Sequence, residues 1–317
     1  MSAMASRPAR SLRLLLLGLL FMATSLLLLY ASIVSKSTSE ATLLRRRHPS
    51  TSLRRDKVAY MLYATDTVTA CNALIMAKQI RRLGTPSSIE IVLLVTDKVA
   101  DATLTALEAD GTLTLQLVSP WVQTNAKHST WSSSLTKLRV FAYYGYDKVI
   151  YLDSDAWLHR NLDHLFDLSD AAMFWAPRAY YRPPPTIAST LLVLRPSSKA
   201  FAQLQAAVTT QFAAMAVYDM DVLNAMWPDA RGVLPSHYVV LNGHLNSNLT
   251  LDFDSVDARI NATYVTHFSS SPDGSYGKPW RVEKKKMRRQ PEWHPRFYAL
   301  FEAYWQSQEL YCPWLHL

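Results

Sequence analysis

The 317-residue sequence contains only two cysteines, Cys71 and Cys312. That permits at most one intramolecular disulfide and excludes a cysteine-rich secreted scaffold and a four-cysteine zinc site. Charge is also sparse, with charged residues at 18% against 49% hydrophobic, a balance within the globular range. The formal excess of +8 is local: ten Lys and Arg in residues 1–57 face only Glu40 and Asp56, and residues 58–317 are neutral. A polyanion-binding surface is not implied, so nucleic acid is not an expected partner. No repeat of solenoid period is visible. No side chain announces itself as a covalent nucleophile.

One long apolar run is present. Leu14 to Val34 carries no charge and, at about 1.5 Å of helical rise per residue, crosses a hydrocarbon core of about 30 Å. It reads as a transmembrane helix. Arg7, Arg10 and Arg13 precede it and Lys36 is the next basic residue, so the positive-inside rule leans toward a cytoplasmic N-terminus. A cleaved signal peptide, the competing reading, has a shorter apolar region of about 7–15 residues. The expected organisation is therefore a cytoplasmic tail 1–13, an anchor 14–34, a Ser/Thr/Arg-rich stem 35–57 and a folded domain 58–317. The sequons at Asn248 and Asn261 would be glycosylated only on the lumenal or extracellular side.

From Val58 the pattern alternates. VAYMLYAT is apolar enough for a buried strand, and TVTACNALIMAKQIRRLG has apolar residues at helical spacing with Gly84 as the stop. IEIVLLVTD, KVADATLTALEADG and TLTLQLVSP repeat the alternation as strand, helix and strand. TKLRVFAYYGY places Leu138, Phe141 and Ala142 on one face of a fourth helix, and DKVIYLDSD is a strand running into two aspartates. Strands separated by helices predict a parallel sheet with right-handed crossovers. TLLVLRP, AFAQLQAAVTTQFAAM and DVLNAMW are strand-like and helical pieces without a clear order.

Asp153 and Asp155 stand at the carboxyl end of a strand, where ligands collect in open α/β sheets. Two carboxylates one residue apart can turn toward one hard cation, and such a cation can bridge the phosphates of a nucleotide diphosphate. A turn or helix-capping pair is the competing reading for Asp-Ser-Asp taken alone.

The stretch KLRVFAYYGYDKVIYLDSDAWLHRNLDHLF resembles the signature of glycosyltransferase family 8, the glycogenin-like enzymes. The match includes Lys137, the aspartate pair, and Asn161, Leu162, Asp163, Leu165 and Phe166 for the N-[LI]-D-x-L-F element. The resemblance extends from Val58 to about Arg281. It implies a Rossmann-like, GT-A type α/β fold with a mainly parallel central sheet flanked by helices. It implies that Asp153 and Asp155 bind manganese. YATDTVTACNALIMAKQIRRLGT resembles the first strand and helix, whose turn holds the uracil and ribose, with Ala64, Thr65, Asp66 and Val68 in the matching places. Lys137, Leu152 and Ser154 join the aspartates on the donor side. VTHFSSSPDGSYGKPW resembles H-F-x-G-x-x-K-P-W, which makes His267 the third metal ligand and Lys278 a contact to the donor phosphates. Here nine residues lie between His267 and Gly277 where the family usually has two.

Two further elements depart from the family. Ala188, Ser189 and Thr190 replace N-S-G, and Asp219 and Met220 replace D-Q ahead of Asn224. Asp219 and Asp221 remain candidates for holding sugar hydroxyls, Asp219 in a catalytic role. The departures look closer to the fungal N-acetylglucosaminyl-transferring branch than to glycogenin. The run RVEKKKMRR reads as a solvated loop, with attraction to a diphosphate or an acidic membrane surface as its other reading.

The resemblance thus implies a manganese-dependent enzyme moving a hexosyl group from a UDP-sugar to a hydroxyl acceptor with retention. The acceptor class, whether glycan, protein, lipid or small sugar, is open, as is a homo-oligomer. Combined with the anchor, it predicts a single-pass type II Golgi membrane protein with a lumenal catalytic domain. The alternative is a catalytically inactive sugar- or nucleotide-binding membrane protein of the same fold, motivated by the altered middle motifs.

Overall fold

The first strand, β1 (Val58–Ala64), is buried from Ala59 through Leu62, as a strand covered on both faces should be. Helix α1 (Thr67–Arg82) follows through a capping box: Asp66 accepts from the Thr69 amide at 2.7 Å, and Thr69 Oγ1 accepts from the Asp66 amide at 3.1 Å. This reciprocal pairing satisfies two orphan donors at the helix start. The structure is a computed structural model and describes residues 56–122, 133–246, 249–269, 271 and 277–315. The expected tail, anchor and nearly all of the stem lie outside the described residues, as does Asn248. Among the described residues no helix is long and apolar enough to cross a membrane.

The expected alternation continues with β2 (Glu90–Val95), α2 (Asp101–Asp110) and β3 (Thr114–Leu117). Gly111 closes α2 at φ 70°, a left-handed cap that costs glycine little. The next segment differs from the expected α-helix. Ser134–Phe141 is a three-ten helix, and Ala142 is already extended. Every residue in it except Arg139 is buried. The Phe141 carbonyl accepts from the Ser197 amide at 2.8 Å instead of from a following helical turn, and Lys137 within the segment is buried.

After β4 (Lys148–Leu152) come β5 (Ala156–Leu158), β6 (Phe174–Pro177) and β7 (Leu191–Leu194). Helices α3 (Ser198–Thr209) and α4 (Asp219–Met226) follow, then β8 (Arg231–Leu234) and β9 (Val239–Leu241). The described chain ends through α5 (Val256–Ala262), β10 (Val265–His267) and α6 (Pro295–Tyr311). The large sheet has the order β3-β2-β1-β4-β7-β6-β8. Its β3-β2-β1-β4 half is parallel, as expected. β7 runs antiparallel to both β4 and β6, and β6 pairs parallel with β8. The sheet is mixed, with the parallel half carrying the N-terminal alternation.

One face of this sheet packs against α1, through Ala70, Leu74 and Ala77. The other packs against the three-ten helix and α3, through Leu138, Phe141 and Leu204. A third apolar cluster forms around α6, with Phe297, Phe301 and Tyr304 packed near Phe268. Cys71 on α1 is disulfide-bonded to Cys312 at the end of α6, with a Cα–Cα separation of 5.9 Å. A second, three-stranded sheet has the order β5-β10-β9. Its register pairs His267 with Ala156, and this pairing brings the histidine to the aspartates.

Candidate metal centre and donor cavity

Asp153 and Asp155 leave the carboxyl end of β4, beside the point where the chain order in the sheet reverses around β1 and β4. β5 begins at Ala156 and pairs antiparallel with β10, so His267 arrives directly beside Asp155. His267 Nε2 lies 3.3 Å from Asp155 Oδ1. Ligand atoms of Asp153, Asp155 and His267 all lie within 4.8 Å of one another. Two carboxylates and one imidazole are a hard-to-intermediate donor set that suits a divalent ion such as Mn2+. The residues present therefore fit the metal that the sequence pattern implies.

The two aspartates are held by different cations. Asp153 is buried, its Oδ1 lies 2.9 Å from Lys137 Nζ, and Tyr151 Oη donates to the same oxygen. Burial pushes the Asp153 carboxyl above its ordinary value even though Lys137 opposes the shift. Asp155 is more open and pairs with Lys278. Burial alone would raise it, but Lys278 and His267 override that and hold the carboxyl well below the usual carboxylate range. Lys278 Nζ also lies 5.4 Å from the Trp280 ring, a cation–π contact. Trp305 Nε1 donates to the Pro279 carbonyl at 3.0 Å, which anchors the Lys-Pro-Trp turn to α6.

Lys137 binds a second carboxylate, Asp219 Oδ2, at 2.7 Å. Ser189 Oγ donates to the same Asp219 oxygen at 2.6 Å and accepts from Lys137 at 3.2 Å. Burial works against the lysine charge, yet Asp153 and Asp219 overcome it and raise its pKa above the ordinary lysine value. Asn224 fixes the neighbouring loop: its Oδ1 accepts from the Ile187 amide at 2.9 Å and its Nδ2 donates to the Ile187 carbonyl at 3.0 Å. Asp221 accepts from the Tyr218 amide at 3.0 Å at the start of α4.

These groups surround a cavity of about 760 Å³ that includes Lys137, Asp153, Asp155, Ser189, Asp219, Asp221, His267 and Lys278 in its wall. A second cavity of about 380 Å³ is lined by Thr65, Asp66, Val68 and Ser154. Asp155 and Lys278 line both, so the metal centre stands where the two meet. The structure thus brings together Thr65, Asp66, Val68, Lys137, Asp153, Ser154, Asp155, Asp219, His267 and Lys278. Ala64 and Leu152 are fully buried strand residues whose side chains line neither cavity. Asn161 and Asp163 lie elsewhere: Asp163 accepts from Tyr60 at 2.6 Å and Thr85 at 2.8 Å. That part of the signature ties β1 and the end of α1 to the chain beyond β5.

Sequence reading did not find Tyr151, Tyr63, Ser134, Tyr181 or Tyr218, all at the site. Tyr151 carried a usable signal, because residues two apart on a strand share a face. The others reach the cavity from separate parts of the chain, Tyr63 from β1 and Ser134 from the start of the three-ten helix, and carried none.

Searches for related proteins agree with this geometry. No family model matches the chain. The galactosyltransferase LgtC, solved with donor and acceptor sugar analogues, superposes with a TM-score of 0.57 at 18% identity, covering 77% of this chain and 95% of LgtC. The fold is that of the GT-A glycosyltransferases. The GT-A fold also matches the bifunctional glycosyltransferase WbbM at TM-score 0.56 and 16% identity, over 81% of this chain and 50% of WbbM. By sequence, this GT-A chain is 28% identical to glucose N-acetyltransferase 1 of Aspergillus fumigatus over 262 residues, 73% of this chain and 66% of that protein. It is 32% identical to glucose N-acetyltransferase 1-B of Kluyveromyces lactis over 155 residues, 46% of this chain and 34% of that protein. Inositol phosphorylceramide glucuronosyltransferase 1 of Arabidopsis thaliana is 30% identical over 55% of this chain and 30% of its own length. In each case the match spans less than two thirds of the curated relative. The resemblance drawn from YLDSD and its surroundings holds at the level of a GT-A nucleotide-sugar glycosyltransferase family.

Proposed function

We propose that the protein is a divalent-cation-dependent, retaining glycosyltransferase that takes a hexosyl group from a UDP-sugar to a hydroxyl acceptor. The observation that carries this reading is the Asp153, Asp155 and His267 cluster at the junction of a small and a large cavity, with Lys278 in the wall of both. The smaller cavity suits the nucleoside and the larger one the sugar and acceptor. A bound Mn2+ would neutralise the charge that develops on the departing diphosphate. Lys278 supplies a second positive contact once it shares its present partner, Asp155, with the phosphates. Lys137 opposes the rise that burial imposes on the Asp153 carboxyl and holds its side chain in place. Asp219 is engaged by Lys137 and Ser189, which disfavours it as a free covalent nucleophile and supports same-face attack by the acceptor hydroxyl. Asp221, in the wall of the larger cavity, is left to orient sugar hydroxyls.

Release of UDP from a panel of UDP-sugars, with and without Mn2+, tests the reading and names the donor. Metal-dependent release from one donor supports it. Tight UDP binding without turnover of any donor, even with acceptors supplied, would place the chain with the inactive binding proteins instead.

We also propose a lumenal catalytic domain on a single-pass type II Golgi anchor. The Cys71–Cys312 disulfide supports an oxidising compartment, and Asn261 of the second sequon is exposed at the end of α5. Protease protection in sealed Golgi vesicles is the measurement; digestion of the catalytic domain without detergent would reverse the topology.

A further inference from the structure

A third cavity, of about 710 Å³, lies between the Lys-Pro-Trp turn and the C-terminal helix α6. Its size is within the range of about 300–1,000 Å³ typical of ligand sites. Trp280 and Trp305 form part of its wall, with Gln308, Lys285 and Glu309. Trp280 and Arg281 also line the small cavity that holds Thr65 and Asp66, so the two spaces share one wall. Cys312 lines the third cavity too, and its disulfide ties that rim to α1.

Gln308 is the informative residue. It is only 8% exposed, and its Nε2 is buried without a hydrogen-bond partner. An amide donor left this way costs about 1–3 kcal/mol, a cost that a partner entering this cavity would offset. Indole rings, a side-chain amide, an ammonium and a carboxylate around one hollow are the groups that recognise a sugar. The partly exposed Trp280 ring covers the apolar face of a pyranose, with the buried Trp305 packed behind the turn that carries it, and the polar groups exchange hydrogen bonds with the hydroxyls. Arg281, Lys284 and Lys285 share the wall with Glu283 and Glu309, and Lys284 lies 3.8 Å from Glu302 and 4.0 Å from Glu309; charges offset in this way favour a neutral ligand over a phosphate.

We propose that this cavity is a second carbohydrate subsite, which holds a neutral oligosaccharide segment of the acceptor away from the hydroxyl that is glycosylated. The proposal rests on the glycosyltransferase reading for its role, and on Gln308 and the indole wall for its existence. A tethered acceptor would raise its own local concentration at the transfer cavity.

The test is calorimetric titration of the full chain in detergent with a panel of short neutral oligosaccharides, without nucleotide. A parallel titration uses UDP with Mn2+. We expect at least one oligosaccharide to bind, Gln308→Leu to weaken it at least about tenfold by removing the amide, and UDP affinity to stay unchanged. Lys285→Glu and Glu309→Lys, both at the rim, provide the same readout should Gln308→Leu fold poorly. Binding of no oligosaccharide, equal binding in every variant, or binding of inorganic phosphate alone overturns the subsite. Loss of UDP binding with intact, Gln308-sensitive sugar binding removes the donor-site reading and leaves the subsite standing.

Discussion

Lys137 Nζ lies 2.7 Å from Asp219 Oδ2 and 2.9 Å from Asp153 Oδ1, with all three side chains no more than a tenth exposed. One ammonium thus joins the three-ten helix, the turn that carries the candidate metal ligands and the start of α4.

Replacing that ammonium leaves two buried carboxylates without their cation. Lys137→Met is expected to lower stability by about 3–5 kcal/mol, the usual cost of breaking a buried pair from one side. The added Asp219→Leu change should restore part of it. Urea midpoints of the single and double variants measure both effects; a single variant as stable as the parent contradicts the role given to Lys137.

Asp155 is a different case, since its side chain is 26% exposed. Asp155→Asn is expected to fold normally, to lose Mn2+ affinity and to cut sugar transfer at least about a hundredfold, the scale of losing one charge-stabilising contact. Electron paramagnetic titration of Mn2+ alongside turnover separates the two effects. Near-normal turnover in the purified variant would remove Asp155 from the metal centre.

The disulfide spans 241 positions of sequence. Closing so long a loop restricts the unfolded chain strongly, and the expected loss in Cys71→Ser/Cys312→Ser is about 3–5 kcal/mol. Reductant should lower the melting temperature of the parent and leave the double variant unaffected. Equal sensitivity in both proteins means that the pair contributes nothing to stability.

Acid sensitivity should come partly from His159, whose Nε2 is 2.8 Å from Thr266 Oγ1. Burial, reinforced by the Arg296 charge, lowers its pKa from 6.5 to about 4. The folded protein keeps the ring neutral in a range where the unfolded chain already binds a proton. The associated stability is complete above the unfolded pKa and is lost as pH falls from about 6.5 toward 4, at most about 3 kcal/mol in all. His159→Gln keeps a hydrogen-bonding group and removes the titration, so its unfolding free energy should fall less between neutral and mildly acidic pH. An identical pH slope in the variant would assign the loss to other groups.

The alternation of strand and helix from Val58 to Leu117 was legible because each strand is an apolar run and each helix has a stop, Gly84 or Gly111. Short range suffices there, since hydrophobic periodicity and turn chemistry are local. Asp153 and Asp155 were legible as a pair, and His267 and Lys278 as a motif, by resemblance. The spacing of Leu138 and Phe141 was read as an α-helix; its three-ten form was not legible because the contact that ends it, the Ser197 amide on the Phe141 carbonyl, comes from far along the chain.

Sequence by itself therefore determined the parallel half of the sheet and the residue types of the candidate metal centre. Tertiary structure alone decided that β7 runs antiparallel, that the β5–β10 register delivers His267 to Asp155, and that Ser189, Lys137 and Asp219 form one buried cluster. It also decided that Cys71 meets Cys312. Each of these depends on contacts between segments far apart in the chain, where no local pattern records which partner will close the distance.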